Sequence, residues 1–252
     1  MEHIMSKENK IKYAELWKSS ARHFEVNGLY DWMCKFIRKY PKVVEIGCGT
    51  GQGTLALLKA GHKVISIDTN EFCIEETKRK IVEMGYTVET SLNKIESSDL
   101  VIIRGDITDD ILCNKLSKIQ PDLFLCWNIG TYWSEEMKVD YLDKMQIYGL
   151  TEDQINNNPQ TSYSELVIWQ TCKVAKISNA AVHLIERMNV IINSNNNHFY
   201  ELLKKGFNFK NTKYEQIEAK TLSIGGIPLI GIDRVLVPDN EVSIFLTSIL
   251  MK

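Results

Sequence analysis

The sequence predicts an α/β fold: a doubly wound, mostly parallel, seven-stranded sheet with an antiparallel strand at its edge. Apolar runs rich in branched residues recur through the first half of the chain, as is typical of strands buried on both faces of a parallel sheet. Helical patterns lie between these runs, and this alternation implies right-handed crossovers. Two extended stretches near the end have no helix between them, which indicates an antiparallel pair at the sheet edge.

The individual elements follow in chain order. The apolar runs predict strands over 42–48, 63–68, 100–106 and 123–128. After the first run, "TLALLKAG" predicts a short helix that ends at Gly61; after the second, "EFCIEETKRKIVEMG" predicts a helix that begins at Thr69 or Asn70 and stops at Gly85. The later elements are a helix over 164–178, a strand over 180–188, a helix over 197–206, and extended stretches over 207–219 and 233–250.

We expect the whole chain, residues 1–252, to form a single domain. Its 252 residues contain neither an internal repeat nor a low-complexity linker that would mark a boundary. Three segments exceed what the sheet requires: a helical region over 8–40, the stretch 134–163 and the loop 222–231. The formal net charge of -2 produces no long-range attraction to a phosphate backbone or an anionic membrane, which disfavours nucleic acid and membrane as partners.

Composition and segment length also predict the cellular setting. The opening "MEHIMSKENK" lacks the basic-then-apolar order of a signal peptide, and no stretch reaches the roughly 18 uninterrupted apolar residues of a membrane span, so we expect a cytoplasmic protein. The 6 cysteines include no C-x-x-C pair and have no histidine nearby in ligand spacing, so we expect reduced thiols and no metal site. The residues leave the oligomeric state open.

The stretch "VVEIGCGTGQGT", residues 43–54, carries the strongest functional signal. A strand that ends in glycines and turns into a helix lets the backbone approach a ligand, while the helix N-terminus offers unpaired N–H groups and a positive dipole end. A dinucleotide fingerprint requires G-x-G-x-x-G. Counting from Gly47 or from Gly49 places Gln52 or Thr54 at the third glycine, so the spacing argues against NAD.

The segment E-I-G-C-G-T-G, residues 45–51, resembles the first motif of the class I S-adenosylmethionine-dependent methyltransferases, an acidic residue followed by G-x-G-x-G. The resemblance covers roughly residues 40–135 and implies S-adenosyl-L-methionine as cofactor, S-adenosyl-L-homocysteine as product and no metal. It also implies that Asp68 accepts hydrogen bonds from the ribose hydroxyls and that Asp106, with the neighbouring backbone, contacts the adenine. The cofactor-binding residues implied are Glu45, Gly47, Cys48, Gly49, Gly51, Asp68, Thr69, Asp106, Ile107 and Asn128.

The end of the fourth strand is where this family brings the methyl group and its acceptor together. Asn128 and Tyr132 are therefore the candidate catalytic residues, although Asn128 could equally stabilise a turn. The family members that methylate exocyclic amines carry [D/N/S]-P-P-[Y/F/W] here, whereas this chain has "NIGT", which argues against that chemistry. Trp133, with Glu186 and Arg187 near the end of the fifth strand, could form the substrate side.

The N-terminal region also resembles the family. Many members that act on small molecules have an N-terminal helical segment that folds over the cofactor as a lid, and Tyr13 and Trp17 are spaced to share one helical face. Packing of these aromatic side chains against the sheet is an equally good explanation. We therefore divide the domain into an N-terminal helical lid (1–40), a cofactor-binding half (41–133), a possible substrate cap (134–163) and the C-terminal half of the sheet (164–252).

Together these observations predict an enzyme that transfers a methyl group from S-adenosylmethionine to a small molecule or metabolite. A sulfonium methyl is already activated, so in-line alignment and exclusion of water supply most of the catalysis, without a dedicated nucleophile or metal. Two alternatives remain: methylation of a protein, peptide or RNA, and a protein of another class that binds S-adenosylmethionine without transferring the methyl group.

Overall fold

The structure is a computed structural model and describes residues 7–127, 137–224, 227–228 and 241–252. The strands are β1 (Lys42–Ile46), β2 (Lys63–Asp68), β3 (Val88–Glu89), β4 (Leu100–Arg104), β5 (Leu123–Trp127), β6 (Ala181–Met188), β7 (Thr212–Thr221), β8 (Ser223–Ile224), β9 (Ile227–Pro228) and β10 (Val242–Met251). The α-helices are α1 (Lys7–Val26), α2 (Leu29–Cys34), α3 (Gln52–Lys59), α4 (Glu71–Glu83), α5 (Asp110–Lys118), α6 (Met137–Tyr148), α7 (Glu152–Asn157), α8 (Pro159–Ile177) and α9 (His198–Gly206).

The main sheet has eight strands within the described residues, in the order β3-β4-β2-β1-β5-β6-β10-β7. The first six strands in this order run parallel, and β10 runs antiparallel to both β6 and β7. This confirms the predicted mostly parallel sheet with an antiparallel pair at its edge. The strand beyond the predicted seven is β3, whose two residues are too short to produce an apolar run.

Helices cover both faces of the sheet, as a doubly wound fold requires. Buried residues of α1 to α4 pack on one face with the side chains of Val43, Leu125 and Ile185. Buried residues of α5 to α9 pack on the other face with those of Val44, Phe124 and Val182. Because both faces are covered, the central strands are mostly apolar on both of their faces.

Local sequence explains where α4 and α5, the helices that follow β2 and β4, begin. The Asn70 side chain accepts a hydrogen bond from the Phe72 N–H at 3.0 Å, so Asn70 rather than Thr69 caps α4. The Asp109 carboxylate caps α5 in the same way, through the Ile111 N–H at 2.8 Å. Helix α4 therefore starts directly after β2, and α5 starts after the short loop that follows β4.

The expectations about membrane spans and cysteines can be compared with the structure. Within the described ranges, none of the helices combines the length and the apolar character needed to cross a membrane. All 6 cysteines are buried free thiols, as predicted.

Candidate cofactor-binding site

The glycine turn between β1 and α3 lies at the carboxyl edge of the sheet and is tied to β2. The Gly47 N–H donates to the Ile67 carbonyl at 2.8 Å, and the Gly49 N–H donates to the Asp68 carboxylate at 2.9 Å. Gly49 has φ 52°, and a Cβ placed on it would meet no described atom within 4 Å. The turn therefore presents open backbone to a ligand on one side, next to the N-terminus of α3.

Gly51 has a different role, because it allows α4 to pack closely against the turn. Its φ is 86°, and a Cβ there would lie 3.0 Å from backbone and side-chain atoms of Thr77. The Thr77 hydroxyl in turn donates to the Gly49 carbonyl at 3.0 Å. The glycines thus serve two purposes: ligand access at Gly49 and helix packing at Gly51.

Glu45, the acidic residue of the motif, lies beneath the turn. It is 3% exposed, and its Oε2 accepts hydrogen bonds from Thr54 Oγ1 at 2.6 Å and Ser66 Oγ at 2.5 Å. Burial raises the pKa of the Glu45 carboxyl to about 7, against the opposing effect of the two hydroxyl donors. Its position suits a residue that holds β1, β2 and α3 together under the glycine turn.

Asp68 ends β2 and is held from both sides. One carboxylate oxygen accepts from the Gly49 N–H and the other from the Asn70 N–H, each at 2.9 Å. Burial raises the pKa of this carboxyl to about 6, although the backbone donors favour its charged form. Because the donors come from loops on both sides, the orientation of the carboxylate is set before any ligand binds. Its side chain is half-buried, at the same edge as the open side of Gly49.

Asp106 follows β4 and lies beside Asp68. The Gly105 N–H donates to the Asp68 carbonyl at 2.9 Å, which joins the two strand ends. Asp106 Oδ1 accepts from the Thr108 N–H at 2.8 Å, and Oδ2 accepts from two tyrosine hydroxyls, Tyr141 at 2.6 Å and Tyr163 at 2.8 Å. The structure therefore brings both predicted acidic residues to one edge and adds two tyrosines that the sequence reasoning missed.

Three other residues predicted to bind the cofactor, Cys48, Thr69 and Ile107, differ in how far their side chains are exposed. Cys48 is buried, its sulfur lies 3.8 Å from Asp68 Oδ2, and burial raises the pKa of its thiol well above the usual range. Thr69 is exposed directly after Asp68. The Ile107 side chain is 2% exposed and packs in the core beside α5, so any contact of Ile107 with a ligand must involve its backbone.

Helix α1 lies across the start of α4. The Asn70 amide donates to the Lys10 carbonyl at 3.1 Å, and Lys10 Nζ forms an ion pair with Glu71 at 2.9 Å. Tyr13 and Trp17 share one face of α1, as their spacing predicts, with ring centroids 6.0 Å apart. Asp68 is close enough to help raise the pKa of the Tyr13 phenol, after the larger effect of burial. The described part of the predicted lid thus borders the cofactor edge.

Residues near the end of β6 point to opposite faces of the sheet. The Arg187 guanidinium lies 5.1 Å from the ring centroid of Trp17, and burial lowers its pKa to about 10. Glu186 faces Tyr200 of α9, with which it forms a hydrogen bond, and burial raises its pKa. Arg187 therefore joins the group formed by Tyr13 and Trp17, whereas Glu186 lies on the other side of the sheet.

The end of β5 is supported by a polar chain within the sheet. Trp127 Nε1 donates to His183 Nδ1 at 2.9 Å, and His183 Nε2 lies 2.8 Å from Ser248 Oγ. Because Nδ1 accepts, Nε2 carries the proton, and burial lowers the pKa of His183 to about 3. The three residues predicted just beyond this strand, Asn128, Tyr132 and Trp133, lie outside the described residues.

The residues at this edge of the sheet fit S-adenosylmethionine better than they fit a metal ion. Open backbone at Gly49 beside the start of α3, with fixed carboxylates after β2 and β4, suits a ligand that carries a carboxylate, a ribose and an amino-substituted base. S-adenosylmethionine has these parts. Among the residues that the structure describes, no group of three or more His, Cys, Asp and Glu side chains could hold a metal ion.

Comparison with known proteins agrees with this geometry. Residues 43–123 match the family model described as "Methyltransferase domain". A protein named probable cobalt-precorrin-6B C(15)-methyltransferase (decarboxylating), from Methanobrevibacter smithii, is 34% identical over 91 residues, 32% of this chain and 49% of that protein. Ribosomal protein L11 methyltransferase from Prochlorococcus marinus is 33% identical over 86 residues, 34% of this chain and 25% of that protein.

The chain spans half or less of the length of these two curated relatives. Among solved structures, TehB from Haemophilus influenzae aligns with 89% of this chain and 61% of its own at 14% identity and a TM-score of 0.45. The matched region 43–123 contains the glycine turn, Asp68 and Asp106. Residues 43–123 therefore resemble the methyltransferase domain of that family model, and the mostly parallel sheet is typical of a Rossmann-like fold.

Proposed function

We propose that the protein transfers the methyl group of S-adenosylmethionine to a small-molecule acceptor. One observation carries the proposal: backbone N–H groups of Gly49 and of Gly105, the neighbour of Asp106, both donate to Asp68 and so join the three parts of the site at one sheet edge. In this assignment Asp68 accepts the ribose hydroxyls, Asp106 accepts the adenine amine, and the Gly49 backbone approaches the rest of the cofactor. When bound, the cofactor supplies an activated sulfonium methyl group.

The contribution of the protein is alignment and exclusion of water. Helix α1 covers the start of α4 and brings Trp17 against Arg187 near the end of β6, which supports its assignment as a lid. Asn128 and Tyr132, directly after β5, are assigned to orient the acceptor in line with the transferred group. Fixed geometry in a dry site supplies much of the rate enhancement for such a displacement.

The proposed class of methyl acceptor is inferred from the net charge of the chain and from the names of the two matched relatives. A formal net charge of -2 gives no reason to expect a nucleic-acid backbone as substrate. One matched relative is named for a cobalt-precorrin, a small molecule, and this supports the main proposal. The other is named for a ribosomal protein, so methylation of a protein side chain is the second candidate.

The cofactor assignment is tested by calorimetric titration with S-adenosylmethionine, S-adenosylhomocysteine and NAD. We expect the first two to bind and NAD not to bind. Asp68→Ala removes the acceptor assigned to both ribose hydroxyls, so the affinity for S-adenosylhomocysteine is expected to fall about 100-fold.

Asp122→Ala is the matched control. Asp122 also accepts a hydrogen bond from a backbone N–H, that of Lys42 at 2.9 Å, but it lies at the amino ends of β1 and β5, away from the carboxyl ends where the cofactor is assigned. This variant should bind S-adenosylhomocysteine as the unaltered protein does. Binding of NAD alone, or equal weakening by the two variants, would contradict the assignment.

A further inference from the structure

Two helices of the second half of the chain each extend a tyrosine to one oxygen of Asp106. Tyr141 of α6 and Tyr163 of α8 donate to Oδ2 at 2.6 and 2.8 Å, and their ring centroids lie 4.8 Å apart. Tyr163 is 8% exposed, and Tyr141 is half-buried. Convergence of two phenols on a single carboxylate oxygen restricts the rotation of the Asp106 side chain.

The number of hydrogen bonds that Asp106 can accept shows how many acceptor positions remain for a ligand. A carboxylate offers about four acceptor positions, two on each oxygen. The two hydroxyls occupy both positions of Oδ2, and the Thr108 N–H occupies one position of Oδ1 at 2.8 Å. Among the contacts that the structure describes, one acceptor position of Oδ1 remains for a donor from outside the protein.

Helix α6, which carries Tyr141, is held in place independently of Asp106. Lys144, one turn after Tyr141, donates to the Thr108 carbonyl at 2.9 Å and so fastens α6 to the loop after β4. Burial, and then the adjacent Asp106 carboxylate, raise the pKa of the Tyr163 and Tyr141 phenols far above neutral pH. Both hydroxyls therefore stay protonated and act as donors toward the carboxylate.

We propose that Tyr141 and Tyr163 are positioning residues that aim the remaining acceptor of Asp106 at the 6-amino group of the cofactor purine. They thereby make the site selective for a 6-aminopurine over a 6-oxopurine, which offers an oxygen acceptor in place of the amine. The inference rests on the proposed function, because it takes the cofactor as given and assigns its base selectivity.

The test compares S-adenosylhomocysteine with S-inosylhomocysteine, which differs at the 6-position of the purine, by calorimetric titration. The unaltered protein should prefer the adenosyl compound at least about tenfold, since a mispaired buried acceptor is costly. Tyr141→Phe and Tyr163→Phe should each weaken binding of the adenosyl compound about tenfold and leave binding of the inosyl compound within about threefold. A merely structural role would weaken both compounds alike.

Tyr148→Phe is the control, because Tyr148 lies on the same helix and its ring packs on Trp169 at 5.4 Å. It should leave the preference unchanged. If Tyr163→Phe does not fold, the half-buried Tyr141 provides the decisive variant. Unchanged or improved binding of the adenosyl compound by Tyr141→Phe would overturn the inference while leaving the proposed function intact. An unaltered protein that binds both compounds equally would overturn the inference and the assignment of Asp106 to the adenine amine, but not the binding of the cofactor. Failure of the unaltered protein to bind either compound would overturn both.

Discussion

Glu45 and Asp68 are carboxylic acids placed where their charged forms are poorly solvated. Glu45 is almost completely buried and depends on the Thr54 and Ser66 hydroxyls, and its pKa is raised to about 7. Asp68 is supported by backbone N–H groups, and its pKa is raised to about 6. Burial dominates at both positions, so each carboxyl binds its proton more tightly in the folded protein than in the unfolded chain.

The raised pKa of Glu45 in the folded protein predicts a measurable pH dependence of stability. A raised pKa in the folded state stabilises the protein at low pH, and this contribution is lost as the pH rises from the ordinary value of 4.5 through about 7. Glu45→Gln cannot ionise. Its free energy of unfolding, relative to the unaltered protein, should therefore rise by about 2 kcal/mol between pH 5 and pH 8.

The measurement is chemical denaturation of both proteins across that pH range. Glu89→Gln, at the exposed end of β3, serves as the control and should keep a constant difference from the unaltered protein. A constant difference for Glu45→Gln as well would show that Glu45 ionises normally in the folded state.

At the scale of elements, α1 is attached to the rest of the molecule in two ways. Its buried residues are Ala14, Ser20 and Phe24, and much of its contact with α4 is polar: the Lys10–Glu71 ion pair and a second pair between Lys18 and Glu76. Both pairs are only partly buried, and ion pairs near the surface contribute little to stability. The first half of α1 can therefore detach without loss of the core, to which Phe24 near its end belongs, as a lid requires.

Cofactor binding should therefore protect α1. We expect amide hydrogen exchange across Lys7–Val26 to slow by at least about tenfold when the protein is saturated with S-adenosylhomocysteine. Exchange across α9, which packs on the opposite face of the sheet, should not change. Equal rates in α1 with and without the ligand would contradict the lid assignment.

The elements around the cofactor edge were predictable because their signals are local. The glycine turn and the acidic residues that follow β2 and β4 are adjacent in sequence to the apolar runs that precede them. The hydrogen-bond partners of Asp106 were not predictable in this way. Tyr141 and Tyr163 lie 35 and 57 residues beyond it, and only the packing of α6 and α8 brings them to it.

Across the whole molecule, Trp127, His183 and Ser248 form a polar chain through the core that joins β5, β6 and β10. The predicted fold class did not indicate it, because apolar runs in the sequence do not show which side chains meet across neighbouring strands. His183 is fully buried with a pKa near 3, so the chain is built on a neutral imidazole that donates from one nitrogen and accepts at the other.

His183→Leu should therefore have a pH-dependent cost. Leucine leaves the Trp127 N–H and the Ser248 hydroxyl without their partner, which should cost about 2–3 kcal/mol at pH 8. The lowered pKa of His183 means that its contribution is complete above the ordinary value of 6.5 and is lost as the pH falls toward 3.

Consequently, the stability deficit of His183→Leu should shrink by about 2 kcal/mol between pH 8 and pH 5, as measured by chemical denaturation. His198, an exposed histidine in α9, supplies the control variant His198→Leu. A deficit that stays constant over this range would mean that His183 takes up a proton in the folded protein.

The position of β10 between β6 and β7 affects how the chain folds while it is being synthesised. β7 joins the main sheet through β10, yet β10 comes after β7 in the chain. As the polypeptide leaves the ribosome, β7 has no docking strand and the outer side of β6 stays unpaired until residues 242–251 have emerged. An unpaired edge of this kind is a template for aggregation, so the nascent protein is most vulnerable, and most in need of a chaperone, in the interval between these two strands.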